Sequence, residues 1–208
     1  MAKELIFIRH TSLSIPRGIC YGHSNIDVSS NFNTEAEHLK SKLAYFVPDV
    51  VISSPLKRCV KLATYLFDNK PETKEKLKEV NYGDWEEKSW ADIAVEGGNL
   101  WMYKNTLNSP PNGESFAALK RRVVEELQNI LERSEENIAI VCHGGVIDVA
   151  IRQLLDFPRR GQFDLWTLNT SLTEFAVDDR GDKRGRWTLI RYNDHAHLAG
   201  LPFATNSE

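Results

Sequence analysis

The sequence predicts an α/β fold: a three-layer α/β/α sandwich around a mostly parallel central sheet, with an inserted cap segment. Two observations carry this. Residues 5–8, 50–52 and 138–142 are short, β-branched-rich apolar runs without alternation, the pattern of strands buried on both faces of a parallel sheet. Between them, apolar residues recur three and four apart, so helices and strands alternate along the chain. A length of 208 residues suits one domain, 1–208, with a cap-like insertion at about 82–112.

Each element has its own signal. The first strand ends in Arg9-His10. Thr34-Glu35-Ala36-Glu37 has the form of a capping box and opens a helix with Ala36, Leu39, Leu43 and Phe46 on its apolar face. After the second strand, Ser54-Pro55 reads as an N-cap followed by proline at the first helical position. That helix continues through Leu62, Ala63 and Leu66. A third helix begins near Gly113 and carries Phe116, Leu119, Val123, Leu127 and Ile130 on one stripe. It delivers the chain to the strand at 138–142. Gly144-Gly145 opens a helix that runs through Leu155 and stops before Pro158. Residues 172–177 and 187–192 flank an Asp/Arg/Gly-rich turn and read as a hairpin. Residues 82–112 lack a single period, contain Trp85, Trp90 and Trp101, and end near Pro110-Pro111.

Composition removes several function classes. Lys plus Arg number 26 against 29 Asp plus Glu, a net charge of −3, so no nucleic-acid partner is expected. The longest apolar run, 138–142, is far short of the roughly 20 residues of a membrane span. Arg9-His10 interrupts the first apolar run too early for a secretory signal. Cys20, Cys59 and Cys142 have no metal-ligand spacing and read as buried, reduced thiols of a cytoplasmic protein. His195-Ala196-His197 reads as a solvated tail, and no metal site is expected.

The chemistry collects at the strand ends. The first strand leads into Arg9-His10, the second through Ser53-Ser54-Pro55 to Arg58, and the last central strand into His143-Gly144-Gly145. Singly, these are a surface pair, a solvated helix residue and a turn. In an open α/β sheet, however, the carboxyl ends of the strands form the ligand crevice, and helix N-termini there favour anions. Guanidinium groups bind phosphate oxygens bidentately. A histidine beside two arginines is biased toward the neutral imidazole, whose nitrogen is a competent nucleophile toward phosphorus. No Walker-type glycine loop is present.

These residues resemble a known family. Ile8-Arg9-His10-Thr11 resembles the Arg-His-Gly signature of the histidine phosphatase (phosphoglycerate mutase-like) superfamily. The resemblance continues through Ser53-Ser54-Pro55-Leu56-Lys57-Arg58, Glu79-Val80-Asn81-Tyr82-Gly83-Asp84-Trp85-Glu86, Asn112-Gly113-Glu114-Ser115 and Val141-Cys142-His143-Gly144-Gly145, in family order. It implies a metal-independent phosphoric monoester hydrolase that uses no cofactor and acts on a small phosphorylated metabolite. By the resemblance His10 is the nucleophile that becomes phosphohistidine. Arg9, Arg58 and His143 clamp the phosphoryl oxygens, and Glu79 donates a proton to the leaving alcohol. Glu86, Glu87 and Lys88 read as ordinary charged loop residues.

Two departures bear on the branch: Thr11 replaces the usual glycine, and Ser12 stands where many mutases have glutamate. The stretch 11–32 is similar to that of the α-ribazole phosphatase group, which implies α-ribazole 5′-phosphate as substrate, in assembly of the cobalamin nucleotide loop. Aligned with that group, Tyr21 and Gly22 lie beside the phosphate, and Gly144 joins them as a substrate-binding residue. Trp85, Trp90, Trp101 and Tyr103 either cover an apolar ring of the substrate or form the insertion's own core. Lys88 and Lys104 are the only cations of the insertion, which offers little for a mutase substrate's carboxylate. The basic turn 180–186 interleaves with aspartates and reads as solvated. A broad-specificity phosphatase, a mutase-like enzyme and a non-catalytic phospholigand-binding domain remain the alternatives.

Overall fold

The apolar runs form strands wherever both of their faces can be covered. The computed structural model describes residues 3–96, 108–157, 165–178 and 186–201. The strands are β1 (Lys3–Arg9), β2 (Val50–Ser53), β3 (Glu72–Thr73), β4 (Asn137–Cys142), β5 (Leu172–Asp178) and β6 (Arg186–Asp194). Among the described residues they make one mixed sheet in the order β3-β2-β4-β1-β5-β6. β1 and β4 are parallel, with Arg9 opposite Cys142 at the last rung, and β2 is parallel to β4 on its other side. β5 and β6 close the sheet as an antiparallel hairpin beside β1.

Alternate residues of the central strands feed two cores. Leu5, Phe7, Ile138, Ile140 and Phe175 pack with Leu119, Val123, Leu127, Val146 and Ile147, which belong to α4 (Phe116–Leu131) and α5 (Gly144–Leu154). Ile6, Ile8, Ala139 and Val141 pack with Ala36, Leu39, Leu62 and Ala63, which belong to α1 (Phe32–Lys42) and α2 (Lys57–Phe67). The result is the expected three-layer sandwich. Each fully buried aliphatic or aromatic side chain of these cores contributes about 1.5–3 kcal/mol of transfer free energy.

Helix starts differ from expectation in three places. α1 begins at Phe32 with Asn31 as its cap, and Thr34 and Glu37 make no capping box. Phe32 is buried edge-on against Tyr65 at 5.6 Å, which anchors the earlier start, and Glu35 lies on the inward face beside Ala36. α2 begins at Lys57 after an extended Leu56, so Ser54-Pro55 is not its cap. The Ser54 hydroxyl is engaged with His143 instead, and the Asn25 side-chain oxygen accepts from Lys57 N–H at 2.9 Å. α4 begins at Phe116, three residues after the expected Gly113, with Ser115 accepting from Ala118 N–H, and α5 begins at Gly144 as expected, with no side-chain cap from His143.

The described part of the 82–112 stretch contains α3 (Trp90–Val95), capped by Ser89, and a short turn at Gly83–Trp85. Trp85 and Ile93 close a small core with Cys20, so Trp85 belongs to the interior of this stretch. Trp101, Tyr103 and Lys104 lie outside the described residues, as does the turn between β5 and β6. His195-Ala196-His197 is not a solvated tail. It follows β6 into a 3₁₀ turn, Ala196–Leu198, whose Leu198 is buried and whose neighbour Asp194 pairs with Lys42 of α1 at 2.8 Å. Among the described residues no helix is long and apolar enough to cross a membrane.

Candidate active site

The parallel register of β1 and β4 brings the ends of both strands to one place. His10, just past β1, and His143, just past β4, have ring centroids 5.2 Å apart and are both buried. The His10 Nδ1 lies 2.8 Å from the Thr11 carbonyl oxygen. A carbonyl only accepts, so Nδ1 carries the proton and Nε2 keeps its lone pair. Burial first, then the charges of Arg58 and Arg9, holds the His10 imidazole well below its ordinary pKa. His143 is displaced in the same direction by burial and by Arg58. Both rings are neutral at physiological pH.

Arg58, fully buried near the start of α2, donates to the carbonyls of Gly22 at 2.7 Å and Ser24 at 2.9 Å. Its charge therefore sits beside both histidines while its fork ties down the 22–24 loop. Its Nε is buried without a hydrogen-bond partner. Arg9 donates to the Thr167 carbonyl and reaches the Tyr21 hydroxyl at 3.5 Å. Glu79 comes from the other side of the site. Its carboxylate accepts from Gly145 N–H at 3.2 Å, in the first turn of α5, and from Val80 N–H at 2.9 Å. The positive end of the helix dipole favours a carboxylate or phosphate there.

A cavity of about 590 Å³ is lined by Arg9, Tyr21, Glu79 and Gly144 of these groups. His10 lies behind this lining, 6.3 Å edge-on from Tyr21 and held by Asn169, which donates to the His10 and Thr11 carbonyls at 3.1 Å. The structure thus brings together His10, Arg9, Arg58, His143, Glu79, Tyr21 and Gly144. Gly22 sits behind them. A β-carbon there would stand 1.8 Å from the Val80 carbonyl oxygen, so its lack of a side chain serves the close approach of two backbones.

Several contributors were not visible in the sequence. Asn169 and Thr170 precede β5, and the Thr170 N–H donates to both the Arg9 and His10 carbonyls. Because β5 runs antiparallel to β1, its beginning lies beside the end of β1; the hairpin signal pointed to this only once β5 was placed next to β1. Arg122 of α4 donates to the carbonyls of Lys76, Lys78 and Glu79 and to the Glu114 carboxylate, which fixes the Glu79 loop. Glu86 is not an ordinary charged loop residue. It accepts from His23 N–H at 2.7 Å and Tyr82 N–H at 3.2 Å, and it binds Ser24, joining two loops of the site. Glu35 accepts from Ser12 N–H at 2.8 Å and from the Ser12 hydroxyl, and burial pushes its carboxyl pKa up.

The three thiols are buried and free. Burial pushes Cys20 and Cys59 up to about 12 and holds Cys142 well above its ordinary value, so none is a thiolate at neutral pH. Beyond the phosphate-sized end, the cavity is walled by Leu13, Ile15, Ile19, Trp90, Leu165 and Trp166, with Glu35, Asp148 and His195 as polar points. Of the aromatic side chains considered as a cover for an apolar ring, Trp90 lines this space.

A family model, the histidine phosphatase superfamily (branch 1), matches residues 5–195. The chain is 27% identical to the adenosylcobalamin/alpha-ribazole phosphatase of Escherichia coli over 91% of this chain and 90% of that protein. It is also 27% identical to a metal-independent phosphoserine phosphatase of Arabidopsis thaliana, over 75% and 66%. Among solved structures, the alpha-ribazole phosphatase from Shigella flexneri superposes with a TM-score of 0.80 at 24% identity, covering 92% of this chain and 96% of that one. A mycobacterial glucosyl-3-phosphoglycerate phosphatase superposes at 0.78 and 22%, covering 93% and 99%.

Proposed function

The chain belongs to the histidine phosphatase superfamily, and from that membership we propose that it is a metal-independent phosphomonoesterase whose substrate is α-ribazole 5′-phosphate. The observation that carries the reaction class is the neutral His10, its Nδ1–H bonded to Thr11 and its ring set against Arg9, Arg58 and His143.

In the proposed reaction, His10 Nε2 attacks phosphorus and the bond to the leaving oxygen breaks. Glu79 gives that oxygen its proton. The resulting Glu79 carboxylate then takes a proton from water as the water attacks phosphorus. The P–N bond breaks, and inorganic phosphate and neutral His10 are released. Two steps through an activated nucleophile replace one difficult hydrolysis. The fixed positive groups stand where negative charge spreads in the transition state.

The substrate reading rests on the alpha-ribazole phosphatases among the relatives and on a cavity whose outer wall is mainly apolar and aromatic. Such a wall suits a leaving alcohol that carries an aromatic base on a sugar. Hydrolysis of p-nitrophenyl phosphate in EDTA tests the reaction class. Activity is expected in the native chain, with a loss of at least about a thousandfold in His10→Ala and acid-labile phosphate trapped on the native protein alone. No turnover of any phosphomonoester would sink the enzyme reading and favour a phospholigand-binding domain. A panel of α-ribazole 5′-phosphate, nucleotides, sugar phosphates, phosphoserine and phosphoglycerates tests the substrate. The specific assignment fails if α-ribazole phosphate has a kcat/KM no higher than simple sugar phosphates.

A further inference from the structure

The segment that leads into β5 places one more hydroxyl at the phosphate end of the cavity. Thr167 is only 3% exposed, and its Oγ1 is buried without a hydrogen-bond partner. It nevertheless lines the cavity. A β-carbon added at Gly144 would stand 3.4 Å from this oxygen and 3.8 Å from the guanidinium carbon of Arg9. The space beside Gly144 is thus shared by the Thr167 hydroxyl and the Arg9 guanidinium at the start of α5. Arg9 also donates to the carbonyl of Thr167 itself, which locks the residue in position.

A buried hydroxyl left unpaired is unfavourable, and native folds keep few of them. This one has a proton to donate, no protein acceptor, and the Arg9 guanidinium and the N-terminus of α5 nearby. The complement of that arrangement is an anionic oxygen. We propose that the Thr167 hydroxyl donates a hydrogen bond to an oxygen of the transferring phosphoryl group, alongside Arg9. The proposal deepens the phosphomonoesterase reading and rests on it.

The test uses Thr167→Val, which keeps the shape and removes the donor, and Thr167→Ser, which keeps the donor. The probes are p-nitrophenyl phosphate as substrate and inorganic phosphate as competitive inhibitor and as thermal stabiliser. The valine variant is expected to lose roughly 10- to 100-fold in kcat/KM and in phosphate affinity, the worth of one hydrogen bond to a charged acceptor. Its Tm without phosphate should match or exceed that of the native chain, because an unpaired polar atom has been removed. Its gain in Tm on adding phosphate should shrink. The serine variant should recover most of both losses.

A valine variant that binds and turns over like the native chain overturns the proposal. So does one whose losses track a lowered Tm, since that marks a packing role. If the native chain binds phosphate yet hydrolyses nothing, the reaction class falls while the phosphate-induced Tm shift still decides the role of Thr167. If the native chain turns over normally and Thr167→Val is indistinguishable from it, the inference falls and the reaction class stands.

Discussion

Gly145 stands where a methyl group meets the group it helps to hold. A β-carbon at this position would lie 2.4 Å from the Glu79 Oε1 and 3.4 Å from a methyl of Leu119. The contact is with the end of a flexible side chain, so the carboxylate gives way and the helix does not. Gly145→Ala is therefore expected to displace Glu79 by a few tenths of an ångström to about 1 Å and to lower kcat by roughly 10- to 100-fold. Stability should change little, by about 1 kcal/mol at most, since alanine's helix preference is weaker in the first turn and is offset by the disturbed Glu79 hydrogen bonds. Steady-state kinetics and thermal melts on the same preparation decide it. An unchanged kcat would show that Glu79 does not act from this position.

At the scale of elements, α1 and the 10–12 segment meet through one buried carboxylate. Glu35 holds both polar groups of Ser12, and the Ser12 hydroxyl lies 2.6 Å from that of Ser29. Burial raises the Glu35 pKa above its ordinary value. The fold thus favours its neutral form, and the associated stability is present below the unfolded pKa and lost as pH rises through the folded one. Glu35→Gln keeps an acceptor for the Ser12 N–H and offers a donor to its hydroxyl, without the buried charge. At pH 8 its Tm is expected to rise by roughly 2–4 °C, the effect of about 1 kcal/mol in a chain of this size. The gain should vanish toward pH 4. A Tm that falls at pH 8 but not at pH 4 would mean that the charge itself holds the segment.

The same element shows where sequence signals were sufficient and where they were not. Strands 5–8, 50–52 and 138–142 were legible because a run buried on both faces needs no long-range information. The residues at their ends followed from the rule that ligands gather there. The capping-box reading of Thr34–Glu37 failed because tertiary burial of Phe32 outweighed local capping chemistry, and it turned Glu35 inward. Glu86, Arg122 and Asn169 escaped notice for a related reason. Each acts by bonding to backbone groups of distant loops, and no local pattern in the chain marks which carbonyl or amide will need a partner.

For the whole molecule, the site sets the acid limit. His10 and His143 are fully buried and held neutral by burial and by Arg58. Their folded pKa values lie below the unfolded value near 6.5, so below that pH the unfolded chain binds protons that the native chain refuses. The stability they confer is complete above the unfolded pKa and is lost as pH falls toward the folded values. Each contributes a slope of about 1.4 kcal/mol per pH unit within that window. His197, pushed down to about 4 by burial, acts in the same sense. Glu35 opposes them. Denaturant melts at pH 7.5, 6.0 and 5.0 should show a stability that declines progressively, with the slope reduced in His143→Gln. A flat profile would contradict neutral buried histidines.

The parallel rung between Arg9 and Cys142 has a kinetic consequence. These residues are far apart in sequence, so closing that rung means closing a long loop, a slow event for a chain with many distant pairings. The two histidines follow the rung on either side and cannot meet before it forms. On the proposed mechanism, partly folded chains are then unable to turn over substrate, however much helix they contain. Catalytic recovery during refolding becomes a clock for the completion of the central sheet, running behind the signals that report helix formation.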